Sequence, residues 1–144
     1  MARLREAIDL DGAVVRVRIE IGMADEAYLT GSKLAIPKSY ITTALLDTGA
    51  SCTAVDPIVI GQLGLQPRGF LPVLAPRQTK SGIVLLYDIR LTIGYPAFKR
   101  PRLAVQVVGV APATPTVSVL IGRDILDRCT LLYDGPGKTF TLWL

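Results

Sequence analysis

Short segments in which apolar and polar residues alternate one by one run through most of the chain. The clearest is "VRVRIEI" over residues 15–21, where Val15, Val17, Ile19 and Ile21 face one way and the charged residues face the other. Successive side chains of a β-strand point to opposite faces, so this pattern predicts a strand with one buried face. A parallel α/β fold requires a long helical segment between successive strands, and no such segment separates these strands in the sequence. The chain is therefore predicted to be all-β and barrel-like.

The same signals place the other strands. Ile41 to Leu46 is an apolar run typical of a buried central strand, and residues 22–39, rich in turn residues and charges, predict a loop or a short extra hairpin. Single strands are expected over 99–110 and over 117–122. Two hairpins are also expected, one over 70–94 with its polar tip at 79–82 and a closing one over 129–144.

Two short helices are also predicted. Asp56 can cap free N–H groups, Pro57 suits a first helical position, and Gly64 provides a helix stop. The second helix is a turn or two over 123–128.

Size and charge narrow the function classes. The 144 residues predict one domain over 1–144, and the 50% apolar content is enough for a core. The net charge is only +4, and even the tightest basic group, Lys99, Arg100 and Arg102, forms no nucleic-acid-binding stripe. The N-terminal segment "MARLREAIDLDGAVV" carries charges where a signal peptide is apolar, and no apolar run approaches the ~18 residues of a membrane helix. We expect a cytoplasmic protein that binds neither nucleic acid nor membrane.

The residues available for catalysis are restricted. The chain has two cysteines, Cys52 and Cys129, and no histidine. The common zinc sites and every histidine-based triad are therefore excluded, and a cysteine nucleophile would lack its usual base. Cys52 is interpreted as a small buried residue, and no metal or cofactor is predicted.

Two apolar strands run directly into a glycine turn, "ALLDTGAS" over 44–51 and "LIGRDIL" over 120–126. With a hairpin and the Pro-rich loop 111–116 between them, the chain resembles the retropepsin-like aspartic proteases, a retroviral-type family with cellular and bacterial single-domain members. The resemblance follows the order of most of the chain. It implies a closed acid-protease barrel with a flap hairpin and one or two short helices, which acts as a homodimer on a peptide or protein substrate.

The chemistry of this family explains the acid at the end of an apolar strand. Peptide hydrolysis without a metal or a covalent nucleophile needs one group that activates a water and another that protonates the carbonyl. Two carboxylates that share one proton do both. Asp47 is the only carboxylate in an Asp-Thr-Gly context, so one chain supplies half a site. The other half must come from a second copy, with Asp47 at the two-fold axis.

The resemblance also assigns roles around Asp47. Thr48 would hydrogen-bond across the axis, and Gly49 would let the substrate backbone approach. Ala50 lacks a hydroxyl that could bond the carboxylate, which predicts a less acidic pH optimum than a serine there would give. Support from behind this loop is assigned to Gly122, Arg123 and Asp124.

Substrate contacts are assigned by the same resemblance. The specificity pockets would be lined by Val55, Val117 and Leu120, and the flap tip that closes over the substrate would be formed by Lys80, Ser81 and Gly82. The C-terminal "TFTLWL" (139–144) would pair with its copy as an interface strand.

Arg123 is expected to pair with backbone and acidic groups. The chain departs from the viral pattern at Ser51, where retroviral enzymes often have an aspartate that meets this arginine. The partner of Arg123 is therefore open.

Other interpretations remain. Asp47–Thr48–Gly49 alone would also make an ordinary turn. A dimer of the same fold could lack catalysis and bind extended peptides under the flap by strand addition. A third possibility is a monomeric β-barrel that binds a small molecule.

Overall fold

A computed structural model of the chain describes residues 1–73 and 82–144. The predicted flap-tip residues Lys80 and Ser81 lie outside the described residues, and Gly82 begins a strand. The strands are β1 (Arg3–Ala7), β2 (Val14–Ile21), β3 (Tyr40–Leu46), β4 (Ala54–Val55), β5 (Gly69–Val73), β6 (Gly82–Ile93), β7 (Leu103–Gly109), β8 (Val119–Ile121), β9 (Thr130–Asp134) and β10 (Thr139–Trp143). The helices are α1 (Met23–Gly31), α2 (Pro57–Gln62) and α3 (Arg123–Leu126).

Six strands close into a barrel in the order β2, β3, β8, β4, β7 and β6, because β6 pairs back with β2. The pairs β3–β8 and β4–β7 are parallel, and the other neighbours in the ring are antiparallel. β5 lies outside the ring and pairs antiparallel with β6. A closed ring has no free edge. The predicted all-β, barrel-like fold class is confirmed.

The alternating segment of β2 forms the barrel core as predicted. Val15, Val17, Ile19 and Ile21 are each at most 3% exposed, whereas Arg16 between them is exposed. These side chains pack with those of β6 and β8 in one apolar cluster. Burial of this cluster is the main favourable term that holds the barrel together.

A second sheet of three strands packs against the barrel in the order β1, β10, β9. Leu4, Phe140 and Leu142 point from it into the same apolar cluster. The expected closing hairpin is present as β9 and β10. The prediction that "TFTLWL" pairs with its copy is wrong, because β1 and β9 of the same chain occupy both edges of β10.

Residues 22–39 contain a helix, α1, and the prediction of a loop or an extra hairpin is wrong. Asp25 and Glu26 stand in its first turn, where acidic side chains stabilise a helix. They form ion pairs with Arg68 and Arg90. None of the residues of α1 is buried, so the sequence lacks the apolar stripe that would have identified the helix. The described chain thus has three helices instead of one or two.

The signals that predicted α2 are confirmed. The Asp56 carboxylate accepts a hydrogen bond from the Ile58 N–H at 2.9 Å, and Pro57 occupies the first helical turn. Gly64 follows the helix with φ +64°, a conformation that favours glycine. In the described part of the chain, no helix has the length and apolar character needed to span a membrane.

Phe140 joins the three-stranded sheet to the barrel core, and its side chain is fully buried. We expect Phe140→Ala to lower the free energy of unfolding by about 3–5 kcal/mol, because it removes a large apolar contact and leaves a cavity. Urea unfolding measures this loss. Phe70→Ala is the matched control, since Phe70 is 65% exposed. An equal loss in both variants would contradict the packing described.

Candidate active site

Asp47 directly follows the last residue of β3, at the point where the chain leaves the barrel. Its backbone N–H donates to the Ile121 carbonyl of β8 at 2.9 Å, so the parallel pairing of β3 with β8 continues into the aspartate. The preceding Leu46 N–H donates to the Ala13 carbonyl at 2.9 Å. Both bonds fix the backbone at Asp47, one to β8 and the other to Ala13, which directly precedes β2. Its side chain is half-buried.

The residues after Asp47 turn back on its carboxylate. The Gly49 N–H donates to Asp47 Oδ1 at 2.9 Å, and the Ala50 N–H donates to the Asp47 carbonyl at 3.2 Å. A Cβ at position 49 would lie 3.1 Å from Asp47 Oδ1, so glycine leaves room for this bond. The turn therefore orients one carboxylate oxygen through a backbone donor. Thr48 is exposed at the loop tip.

Arg123, the first residue of α3, supports the loop from behind. Its Nη1 donates to the Thr48 carbonyl at 2.8 Å, and its backbone N–H donates to the Ala50 carbonyl at 2.9 Å. The partner left open by Ser51 is therefore backbone. In the residues that the structure describes, Arg123 forms no ion pair with an acidic group. Arg123 thus positions two carbonyls of the Asp47 loop, one through its guanidinium and one through its backbone N–H.

A buried threonine links the two segments. Thr53 is 0% exposed, and its hydroxyl donates to Asp124 Oδ1 at 2.8 Å while accepting from the Gly122 N–H at 3.1 Å. The Thr53 N–H donates to Asp124 Oδ2 at 3.0 Å. Asp124 Oδ1 also accepts from the Ile125 N–H at 3.0 Å. Both carboxylate oxygens of Asp124 therefore accept hydrogen bonds that hold the segment at Thr53 to the start of α3.

Sequence reasoning missed Thr53. It stands next to the apolar pair of β4, where a threonine is an ordinary strand residue. Its partner Asp124 lies 71 residues away. No local pattern joins them, and the only signal available was an aspartate that immediately follows the Gly122–Arg123 junction.

Gly122 lies against the backbone of the opposite segment. A Cβ added there would come within 2.6 Å of both the carbonyl carbon and the carbonyl oxygen of Cys52. The backbone of Gly122 has φ −91°, which any residue adopts. Close approach, and not conformation, therefore requires glycine here.

The predicted pocket residues differ in exposure. Val55 is 0% exposed and Val117 is 4% exposed, so both lie in the interior of the single chain. Leu120 is half-buried on β8, and Gly82 is exposed at the start of β6. Of the three residues assigned to pockets, Leu120 alone presents appreciable surface. The assignment of all three to substrate pockets stays a prediction.

The two cysteines have no part in the bonds around Asp47. Cys52 is half-exposed, so its interpretation as a buried residue is wrong. Desolvation raises the pKa of the Cys129 thiol, and the nearby Arg128 only partly opposes this. A thiol with a raised pKa is a poor nucleophile at neutral pH.

An apolar cavity of about 80 Å³ lies on the side of α3 that faces β7. Leu103, Val105 and Ile125 contribute to its wall. Asp47 does not line it, so this cavity is not the site suggested by the Asp47 loop.

Comparison with known proteins identifies the fold. No protein-family model and no curated protein sequence matches the chain. Among solved structures, a retropepsin-like aspartic protease from Rickettsia conorii is similar, with a TM-score of 0.54 and 14% sequence identity. The match covers 98% of this chain and 89% of the rickettsial chain. At this identity the similarity shows the fold alone: the chain has the retropepsin-like fold.

The hydroxyl of Thr53 satisfies both Asp124 and the Gly122 N–H. We expect Thr53→Val to lower the free energy of unfolding by about 1–3 kcal/mol, because it leaves the buried Gly122 N–H without its acceptor and removes one of the bonds to Asp124. Thr53→Ser retains the hydroxyl and should lose much less. Urea unfolding of the two variants makes the comparison, and equal losses would show that the hydroxyl is not the cause.

Substitution of Gly122 tests the close approach to Cys52. We expect Gly122→Ala to destabilise the fold by about 1–3 kcal/mol through overpacking. Gly61→Ala is the matched control, since a Cβ at Gly61 meets no atom within 4 Å. The control should be neutral or stabilising, because alanine is the better helix former. Thermal unfolding distinguishes the two, and an unchanged Gly122→Ala would refute the contact.

Proposed function

We propose that the protein is an aspartic endopeptidase that acts as a homodimer and hydrolyses peptide bonds of extended peptide or protein substrates. One observation carries the proposal. Asp47 lies at the end of a barrel strand, with one carboxylate oxygen oriented by the Gly49 N–H, in a chain with the retropepsin-like fold. The sequence supplies a single Asp-Thr-Gly motif. A second copy would supply the second carboxylate.

Two Asp47 carboxylates at a two-fold axis would act as general base and general acid. Like charges about 3 Å apart do not both ionise, so the pair holds one proton. The ionised Asp47 takes a proton from a water, whose oxygen attacks the scissile carbonyl carbon. The protonated Asp47 of the second copy donates to the carbonyl oxygen. Collapse of the resulting diol breaks the C–N bond and returns a proton to the leaving amine.

The bonds behind the loop suit this role. A catalytic group acts best when its position is fixed before the substrate arrives, since no reorganisation is then needed in the transition state. The Asp47 loop is held by the Arg123 guanidinium and by the Thr53–Asp124 bonds. Thr48 is exposed at the tip of this loop, where it would meet a second copy.

The antiparallel pair β5–β6 would provide the lid. Its described end is apolar: Phe70 and Ile83 are 65% and 67% exposed, and Leu85 is 39% exposed. These three residues lie on one face, since Phe70 is paired with Leu85 and Ile83 is two residues along β6. With Leu120 they would favour substrates with large apolar side chains. Lys80, Ser81 and Gly82 would form the tip of this lid, and Val55 and Val117 would support the pocket from the interior.

Asp47→Asn tests the catalytic role. We expect it to reduce peptide cleavage by at least ~10²-fold, because an amide cannot act as the general base. A fluorogenic peptide library reports cleavage across acid and neutral pH. Asp127→Asn is the matched control, being the same substitution at an exposed residue just beyond α3. Peptide binding without cleavage by the unsubstituted protein would favour the non-catalytic alternative.

Mixed dimers provide the control for the shared site. When equal amounts of the unsubstituted chain and Asp47→Asn exchange subunits, about a quarter of the dimers carry two aspartates. Activity per total chain should fall to about a quarter of that of the unsubstituted protein. A fall to about half would mean that each chain works alone, which would contradict the proposal.

A further inference from the structure

Three strands in the described part of the chain end a sheet and leave one edge without a partner strand: β1, β9 and β5. A free edge presents unpaired N–H and C=O groups and pairs readily with another chain unless something blocks it. Each strand of the barrel, in contrast, has a neighbour on both sides over at least part of its length. These three edges differ in how they are blocked.

β1 and β5 carry the residues that commonly protect an edge. β1 has Arg3, Arg5 and Glu6, all of them exposed. If two copies paired antiparallel along β1 with Arg5 at the centre, Arg5 would oppose the Arg5 of the second copy. β5 contains Pro72, which lacks a donor for a new strand.

β9 is less protected, because its only charged residue is Asp134 at its end. Its sequence is Thr-Leu-Leu-Tyr-Asp, without proline, lysine or arginine, and its pairing with β10 is continuous, without a bulge. Leu132 and Tyr133 are each 55% exposed although they lie on opposite faces of the sheet. In the described residues, no backbone hydrogen bond joins 130–134 to any element other than β10.

We propose that β9 is the strand through which two copies of this chain pair, antiparallel and with Leu132 on the two-fold axis. In this register every residue of β9 faces a residue of the other β9. Thr130 faces Asp134, Leu131 faces Tyr133, and Leu132 faces Leu132. The two three-stranded sheets become one sheet of six strands. A register centred on any other residue leaves part of the strand without a partner.

Pairing with a second copy meets no repulsion between like charges. The central three residues of β9 are uncharged, so self-pairing opposes no like charges there, and Asp134 faces the neutral Thr130. Apolar contacts then form on both faces of the new pair. The proposal rests on the proposed function in that a dimer is needed to complete the Asp47 site.

The chain also joins β9 to that site. α3 begins at Arg123, which bonds the Thr48 carbonyl, and β9 follows α3 after a short turn. The segment 123–134 therefore contains both the support of the catalytic loop and the interface strand.

Cysteine cross-linking tests the register. In a background with Cys52→Ala and Cys129→Ala, Leu132→Cys should form a disulfide-linked dimer on mild copper-phenanthroline oxidation. Arg5→Cys is the matched control, because Arg5 and Leu132 flank the same residue, Thr141, on opposite edges of one sheet. Cross-linking of Arg5→Cys as readily as Leu132→Cys, or of neither, would overturn the proposal.

Sedimentation at several concentrations gives the second readout. Leu132→Lys should raise the dimer dissociation constant at least tenfold, and Arg5→Lys, which keeps the charge, should leave it unchanged. Leu132 is exposed in the single chain, so the fold should tolerate the lysine, which circular dichroism checks. An unchanged dissociation constant for Leu132→Lys would refute the interface.

The outcomes separate the two proposals. A dimer that is cross-linked at Leu132 but cleaves no peptide would uphold the interface and remove the enzyme. Asp47-dependent cleavage by a dimer that Leu132→Lys does not weaken would uphold the enzyme and remove the interface. An unsubstituted chain that stays monomeric at every concentration, with or without peptide, would overturn both.

Discussion

The Thr53 hydroxyl holds together the two segments on which the candidate site depends. It donates to Asp124 and accepts from the Gly122 N–H, so one buried group satisfies two others that belong to the β8–α3 junction. Burial makes these bonds important, because an unpaired polar group in such a place costs more than the bond itself contributes. Gly122 can approach closely enough only because it lacks a Cβ. The Asp47 loop and α3 are therefore expected to move as one unit.

This unit explains how a charge can stand at the end of an apolar strand. Asp47 continues the β3–β8 pairing through its backbone, at the point where the chain leaves the barrel. Arg123 bonds carbonyls of the loop and not the Asp47 carboxylate. A guanidinium paired with the carboxylate would favour its ionised form and oppose the shared proton that the proposed chemistry needs. The Arg123 guanidinium thus positions the loop through Thr48, the residue next to Asp47, and does not bond the Asp47 carboxylate.

The sequence predicted those features that local chemistry determines. The alternation of β2 and the cap of α2 each depend on neighbouring residues, and both were read correctly. α1 was missed because it buries no residue and carries no apolar stripe. The role of β10 was wrong because the order of strands in a sheet depends on distant partners. Thr53 could not be found for the same reason. The candidate acid was found because its motif is contiguous, whereas the network that positions it is not.

Under the proposed function, the single chain is incomplete in two respects that a second copy would correct. It offers one carboxylate where the proposed chemistry needs two, and it leaves the edge of β9 with a single charge at its end, while β1 carries three charged residues and β5 a proline. A soluble monomer gains nothing from an unprotected apolar edge, which promotes association. α3 links the two features, because Arg123 in α3 bonds the Asp47 loop and β9 follows α3 in the chain. Pairing at β9 would therefore affect the position of the loop that holds Asp47. Assembly and catalysis would then depend on the same short stretch of chain.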